Sequence, residues 1–533
     1  MEDRIGTGAE PLAGRREWIG LAVLALPTLL LSLDISVLYL ALPHLSAQLG
    51  ADSAEQLWIM DIYTFLLAGF LITMGTLGDR IGRRKLLLIG AAVFGLASVV
   101  AAFSTSTEML IVARALMGVS GATLMPSTLA LITNMFANPK QRGAAIGVWA
   151  SCMMVGAALG PVIGGVMLEL WWWGSVFLMG VPVMLLLLAT GPALLPEYKD
   201  AAAGRVDLLS VLLSLAAILP VIYGLKDAAK DGIGVTAIVT VLVGLAFAAV
   251  FAVRQLRLDS PLLDLRLFRV RAFSAALSII ILGGIPLAGI FLLASIHLQT
   301  VKDLPPTQAG LWLAPVGLVI AVGASVAPAI AQKVRPAYVI AVGFVGSVIG
   351  FLLLTQADST TATVVILIAM LLVYLGVGPS MALGVDMVVG SAPPEKAGSA
   401  SATSETSTEL GVALGIALVG SLGTAVYREA VEVPSGVTGD QAQQAKDSIS
   451  GASAVADDLP PDVGAQLLGS ARDAFDTALN AGAVFGAVMF ALCALIAITL
   501  LRHVPPSGAS QTEEAPEGDR ATEPGLTPLE SRE

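Results

Sequence analysis

Six charged side chains sit inside long apolar runs of this sequence: Asp34, Asp61, Arg114, Asp386, Glu405 and Glu409. An ionisable group at lipid depth is costly unless it is paired, hydrated or at work, so each is a candidate functional residue. Glu405 and Glu409 are four residues apart and therefore share one helix face. Two carboxylates crowded in a low dielectric resist being ionised together, which suits groups that take up and release protons. Arg114 requires a carboxylate partner, and Asp34 in the first apolar run is the candidate. Asp61 follows Trp58 by one turn near the outer end of the second run, and Asp386 lies near the inner end of the twelfth. A carboxylate that holds either a proton or an organic cation is sufficient to exchange one for the other. Tyr39, Trp58, Tyr63, Trp149, Met153 and Met154 are candidates for the pocket lining, because aromatic and thioether groups give adaptable contacts, including cation–π.

The rest of the chain dictates what holds these groups. Of its 533 residues 56% are hydrophobic and only 13% charged, with a mean hydropathy of +0.84; a soluble domain carries about 25% charged residues. A spanning helix uses about 20 apolar residues, and fourteen runs of that size occur between residues 18 and 502. The composition excludes a soluble enzyme, a disordered protein and a nucleic-acid binder. With the N-terminus in the cytoplasm and loops alternating, 22 of the 29 Lys and Arg fall inside. Outside lie Lys226, Lys230, Lys302, Arg428, Lys446 and Arg472, while Arg114 is within a span. One missed span would reverse every later loop and destroy this asymmetry, so both termini are expected inside. Cys152 and Cys493 suit neither a disulfide nor a metal site.

A repeat divides the spans. Helix five contains Gly143-Ala-Ala and Gly156-Ala-Ala-Leu-Gly160; helix thirteen contains Gly398-Ser-Ala and Gly411-Val-Ala-Leu-Gly415. Both correspondences are offset by 255 residues (398 − 143 and 411 − 156). Two six-helix halves with a binding site between them are a common plan of secondary transporters. The expected division is a tail over 1–17, a first bundle over 18–200, two inserted helices over 201–253 and a cytoplasmic linker over 254–271. A second bundle follows over 272–502, with an outside loop over 428–472, and then a disordered tail over 503–533. Within the loop, QAQQAKDSI is expected to form a short amphipathic helix.

Three motifs add specificity. Gly75-Thr-Leu-Gly78-Asp79-Arg80-Ile-Gly82-Arg83-Arg84 joins helices two and three. Arg114-Ala-Leu-Met-Gly118-Val-Ser-Gly121 lies in helix four. Helix five carries Gly147, then Gly156, Gly160, Pro161, Gly164 and Gly165, a glycine stripe that admits another helix closely beside a proline kink. These resemble motif A, motif B and the antiporter motif of the major facilitator superfamily. With Leu33-Asp34-Ile-Ser-Val, Trp58-Ile-Met-Asp61-Ile-Tyr and Glu405-x3-Glu409-Leu-Gly411, the chain resembles its fourteen-helix drug:proton antiporters.

That resemblance implies an all-α integral membrane protein with the major facilitator fold: two six-helix bundles plus two inserted helices. It implies a proton-coupled exporter of lipophilic cations such as quaternary ammonium compounds, dyes and fluoroquinolones, working by alternating access in the bacterial inner membrane. Asp34, Asp61, Glu405 and Glu409 would serve proton coupling and cation recognition, Arg114 proton transfer, and Asp79 and Arg83 a latch between the halves. Gln332-Lys333-Val334-Arg335-Pro336, after helix ten, is a degenerate second copy of motif A, so only the first is expected to latch. No cofactor is expected beyond the proton gradient; the partners are small cations, protons and lipid, and a monomer suffices. Some family members carry an acidic residue in the tenth helix, whereas Gly317-Leu-Val-Ile-Ala-Val-Gly323 has none, which bears on dications. The competing readings are a dedicated exporter of a metabolite, lipid or antibiotic, and a proton symporter, which the helix-five motif disfavours. A membrane enzyme would need acidic or His clusters in outside loops, which are very short before residue 428, and a receptor would need an output domain that the tail is too short to supply.

Overall fold

The computed structural model describes residues 12–199, 207–232, 234–258, 261, 265–391, 397–437 and 439–506. Of the tail expected to be disordered over 503–533, residues 507–533 lie outside the described ones, as does Lys396. Among the described residues, fourteen helices are long and apolar enough to cross a membrane. The first half comprises α1 (Arg15–Leu49), α2 (Ser53–Ile81), α3 (Arg83–Ala102), α4 (Thr107–Met135), α5 (Pro139–Leu170), and α6 (Ser175–Leu178) continuing into α7 (Gly180–Leu194). The inserted pair is α8 (Leu208–Asp231) and α9 (Val235–Arg257). The second half comprises α10 (Arg271–Thr300), α11 (Pro306–Ala331), α12 (Pro336–Leu354), α13 (Thr363–Gly390), α14 (Ala397–Ala430) and α17 (Pro461–Leu500). Two short helices, α15 (Asp440–Asp447) and α16 (Ile449–Asp457), occupy the outside loop.

Local chemistry sets the helix boundaries. Asp52 caps α2 by accepting from the Glu55 amide, while Glu55 reaches back to the Asp52 amide. Ser106 caps α4 by accepting from the Met109 amide, and Asp207 caps α8 by accepting from the Ser210 amide. Gly82 turns the chain from α2 into α3 at φ +114°, a region that side chains rarely adopt.

One close helix pair recurs in both halves. The α5 stripe lies on α1: a β-carbon at Gly156 would come 2.5 Å from the Leu29 carbonyl oxygen, and one at Gly164 would meet Val37. In the second half Gly411 and Gly415 of α14 lie on α10, against Gly284 and against Ile285 and Ala288. The repeat offset therefore extends to the partner helices: Leu29 corresponds to Gly284, and Leu33, beside Gly160, corresponds to Ala288 (284 − 29 = 255; 288 − 33 = 255). The inserted pair packs on itself where Gly224 meets Ala237 and Gly244 meets Ala217. Its α8 leans on both halves, touching α2 and α14.

The halves meet from mid-membrane outward. Tyr39 of α1 stacks edge-on to Phe291 of α10, with ring centroids 5.0 Å apart, and Ser295 donates to the Tyr39 carbonyl at 3.0 Å. Gly165 of α5 abuts Pro306 of α11, and Leu57 of α2 fills the space at Gly420 of α14. At the inner ends, α5 is exposed at Gly143, Gly147 and Ser151, and α13 at Val385 and Asp386. The cleft thus opens toward the face that the basic residues assign to the cytoplasm.

Two boundaries differ from the sequence reading. The last spanning helix starts at Pro461, not near 473, because 461–472 continue its packed face with Gly464, Leu467 and Ala471 buried. Lys226, assigned to an outside loop, is in α8 and 2% exposed, since Asp61 of α2 compensates its charge there. The amphipathic stretch expected in the outside loop is α15, and the chain turns directly from it into α16, which packs against α17.

Candidate functional site

At the junction of the halves the charged groups fall into two closed, buried pairs and one open, part-buried pair; away from the junction Arg83 pairs with Asp79, and buried Asp476 lies 3.2 Å from the buried His297 imidazole. In the first closed pair, Arg114 of α4 donates to Asp34 of α1 at 2.6 Å, both side chains being buried. The guanidinium also donates from Nε to the Ile59 carbonyl of α2 at 3.2 Å, and lies 4.4 Å from the Tyr63 ring centroid and 6.0 Å from that of Phe177. One side chain thus ties α1, α2, α4 and α6. Gly118 makes this possible: a side chain there would strike the Tyr63 backbone, so α4 sits tightly on α2.

The second closed pair was not legible in the sequence. Lys226 Nζ lies 2.9 Å from one Asp61 oxygen and 3.0 Å from the other, and 3.9 Å above the Trp58 ring centroid. Asp61 is fully buried. The available signal was a lysine three residues beyond Tyr223 in a helix pattern continuing to Asp231, which places it inside the span.

The open pair is Glu405 and Glu409 on α14. Among the described residues neither carboxylate has a cationic partner, and Glu409 Oε2 is buried without a hydrogen bond. The pair belongs to the same neighbourhood as the closed ones. Asp34, Arg114 and Glu409 all lie close enough to act electrostatically on the Tyr63 hydroxyl, and Glu409, Arg114 and Asp61 on that of Tyr39. Asp34, Asp61, Arg114, Glu409, Tyr39, Tyr63 and Trp58 are therefore brought together at the junction of the halves. Asp386 is not: it is exposed near the inner end of α13. Trp149, Met153 and Met154 line the partly exposed face of α5, where Trp149 donates to Thr128 at 3.2 Å.

The motif-A residues brace their own half. Asp79 accepts from Arg83 Nε at 2.7 Å, and Arg84 donates to the Pro192 and Leu195 carbonyls beside Glu197. Arg80 is exposed, Gly82 supplies the turn, and Gly75 packs near Pro126. Among the described residues Asp79 and Arg83 are bonded to each other within the first half, and no bond from either to the second half is seen. In the helix-five motif, Gly156, Gly160 and Gly164 face α1, Pro161 and Gly165 face α11, and Gly147 faces open space.

A family model described as the Major Facilitator Superfamily matches residues 24–416. The chain is 42% identical to the multidrug efflux pump LfrA of Mycolicibacterium smegmatis, over 93% of this chain and 99% of that one. It is 34% identical to the methyl viologen resistance protein SmvA of Salmonella typhimurium, over 86% and 93%. It is 33% identical to the puromycin resistance protein of Streptomyces alboniger, over 77% and 82%. In fold it is similar to a bacterial homologue of the lysosomal transporter Spinster in an inward-facing, unoccupied conformation (TM-score 0.66, 15% identity, 92% and 98% covered). Fourteen spans and these bacterial relatives place it in the inner membrane as a multi-pass transporter rather than an enzyme. A repeat of paired helices around a charged junction, matched along its length by this model and these relatives, makes the chain a member of the Major Facilitator Superfamily.

Proposed function

We propose that the protein exports lipophilic organic cations in exchange for protons, with Glu405 and Glu409 as the exchanging groups. The observation that carries this reading is the charge balance at the junction: Asp34 is paired with Arg114 and Asp61 with Lys226, whereas among the described residues the α14 carboxylates have no cationic partner. A cation entering the open inner cleft pairs with a deprotonated Glu409 beside Tyr39 and Tyr63. After the halves rock, protons from outside neutralise the carboxylates and release the cation. Asp34 and Arg114 then act as a positioning pair that can loosen when charge on α14 changes. The membrane potential contributes about 2.3 kcal/mol per net charge per 100 mV, and each pH unit about 1.4 kcal/mol. A monocation exchanged for one proton moves no net charge and uses the pH gradient alone; two carboxylates permit a second proton and access to the potential.

The test is ethidium efflux from energised cells and from proteoliposomes with an imposed pH gradient, comparing wild type with Glu409→Gln and Asp34→Asn. Wild type is expected to expel dye until an uncoupler is added, and Glu409→Gln to fall to background. Uncoupler-insensitive efflux that survives in both variants overturns the mechanism. The relative named for puromycin resistance favours a second reading, a dedicated exporter of one antibiotic. A wild type that moves no cationic dye but lowers the cell content of one such compound would support it.

A further inference from the structure

The inserted hairpin places a primary ammonium in surroundings built for an organic cation. Lys226 Nζ contacts both Asp61 oxygens and caps the face of Trp58 at 3.9 Å. A carboxylate beside an indole face is the chemistry that recognises alkylammonium groups. Lys226 is 2% exposed and Asp61 fully buried, so water screens neither attraction. The hairpin is otherwise loosely attached, with α9 largely exposed and α8 reaching the bundles along one face. That face is a small separate cluster in which Ile222 of α8 packs with Phe65 of α2 and with Ala413 and Ala417 of α14, bordered by Trp58. Ala413 is one turn from Glu409, so the lysine-filled site adjoins the carboxylates assigned to cargo.

We propose that Asp61 and Trp58 form an organic-ammonium subsite that the chain fills with its own Lys226. The lysine is then a tethered competitor of cationic cargo and a determinant of specificity. While Lys226 is seated, cargo meets only the α14 carboxylates; when it is removed, the subsite accepts a free ammonium or the positive end of a larger cation. This rests on the reading of cation export above, but the subsite itself can be tested without transport.

The experiment uses the full chain in detergent, as wild type, Lys226→Ala, and Lys226→Ala with Asp61→Asn. The probe is n-butylammonium, the lysine side chain from Cβ to Nζ as a free amine and one carbon longer than what the substitution removes, with equal sodium chloride as control. Butylammonium is expected to raise the melting temperature of Lys226→Ala saturably by at least ~2 °C, and to do nothing for wild type or the double variant. If Lys226→Ala is too unstable to purify alone, recovery of its yield by butylammonium during purification is the same readout. A saturable response in the double variant, or none in Lys226→Ala, overturns the subsite. Tetraphenylphosphonium binding tests the competition: Lys226→Ala should bind it about tenfold more tightly than wild type, and saturating butylammonium should erase the gain. Unchanged affinity overturns the competitor role. Failure of wild type to bind tetraphenylphosphonium instead counts against the export reading, and leaves the butylammonium result to decide the subsite.

Discussion

The two halves share one backbone plan and differ in where they keep their charge. In both, a glycine-bearing helix lies on the first helix of its bundle, α5 on α1 and α14 on α10, at positions related by the same offset of 255 residues. At that offset Asp34 corresponds to Gly289 and Arg114 to Ala369, so the second half has nothing at the place of the first half's ion pair. Conversely, Glu405 and Glu409 correspond to Ala150 and Met154. The first half therefore buries a neutralised pair between its helices, while the second presents uncompensated carboxylates on the helix that faces its partner. Equivalent packing keeps the halves geometrically alike; at their junction, among the described residues, the carboxylates without a cationic partner belong to the second half, and these are the groups proposed to exchange.

If that contrast is right, removing charge has opposite consequences in the two halves. The largest effect is expected from Glu409→Gln: transport falls to the background of cells lacking the protein, while the melting temperature holds or rises, because a buried unpaired carboxylate is gone. Efflux rates and thermal melts on the same preparation check both outcomes. Next comes Arg114→Met, which leaves Asp34 buried alone and should cost ~3–5 kcal/mol of stability. Asp34→Asn combined with Arg114→Gln should recover most of that loss in the melt without restoring wild-type efflux. A smaller effect probes the shared packing. Gly415→Ala drives a methyl into the Ile285 carbonyl and Gly160→Ala into the Ser36 side chain, so both should cost ~1–3 kcal/mol, the α14 change more because backbone yields less than a side chain. Equal losses would show that α1 and α10 are equally stiff.

The smallest effect concerns the outer turns. Between α12 and α13, hydrogen bonds from Thr360 and Thr361 hold the Asp358 carboxyl down to about 2. The corresponding turn between α3 and α4 uses Ser104 and Ser106; there a backbone amide and the Ser106 hydroxyl also bond the Glu108 carboxyl, but with fewer hydrogen bonds than the four that converge on Asp358. A lowered carboxyl contributes stability that is full above its ordinary value near 4 and is lost as pH falls through 2. Hydrogen exchange between pH 5 and 2.5 should therefore show the α12–α13 turn loosening before the α3–α4 turn, and Asp358→Asn should remove the difference.

Much of the architecture was legible in the chain. Runs of apolar residues must be helices in lipid because no other local structure satisfies every backbone group. The spacing of Gly156, Gly160 and Gly164 announced a close helix contact, and the 255-residue offset between α5 and α14 carried over to the helices they touch. Asp34 and Arg114 were matched correctly because a lone guanidinium at that depth requires a carboxylate. Asp61 was read as an open cation group for lack of a partner in view: Lys226 is 165 residues away and was counted as loop. Asp79 and Arg83 announced a tight turn, but not whether they would bind across the halves or within one, since that depends on which side of the cleft is open.

Sequence alone determined the spans, the existence of a close helix contact along the α5 stripe and the scarcity of charge at lipid depth, because these follow from hydrophobicity and from glycine spacing along one helix. Only the tertiary structure decided which charges are spent on one another. Pairing energy depends on distance and burial between side chains far apart in the chain, and so it was the seating of α8 beside Asp61 that left, among the described residues at the junction, Glu405 and Glu409 without a cationic partner.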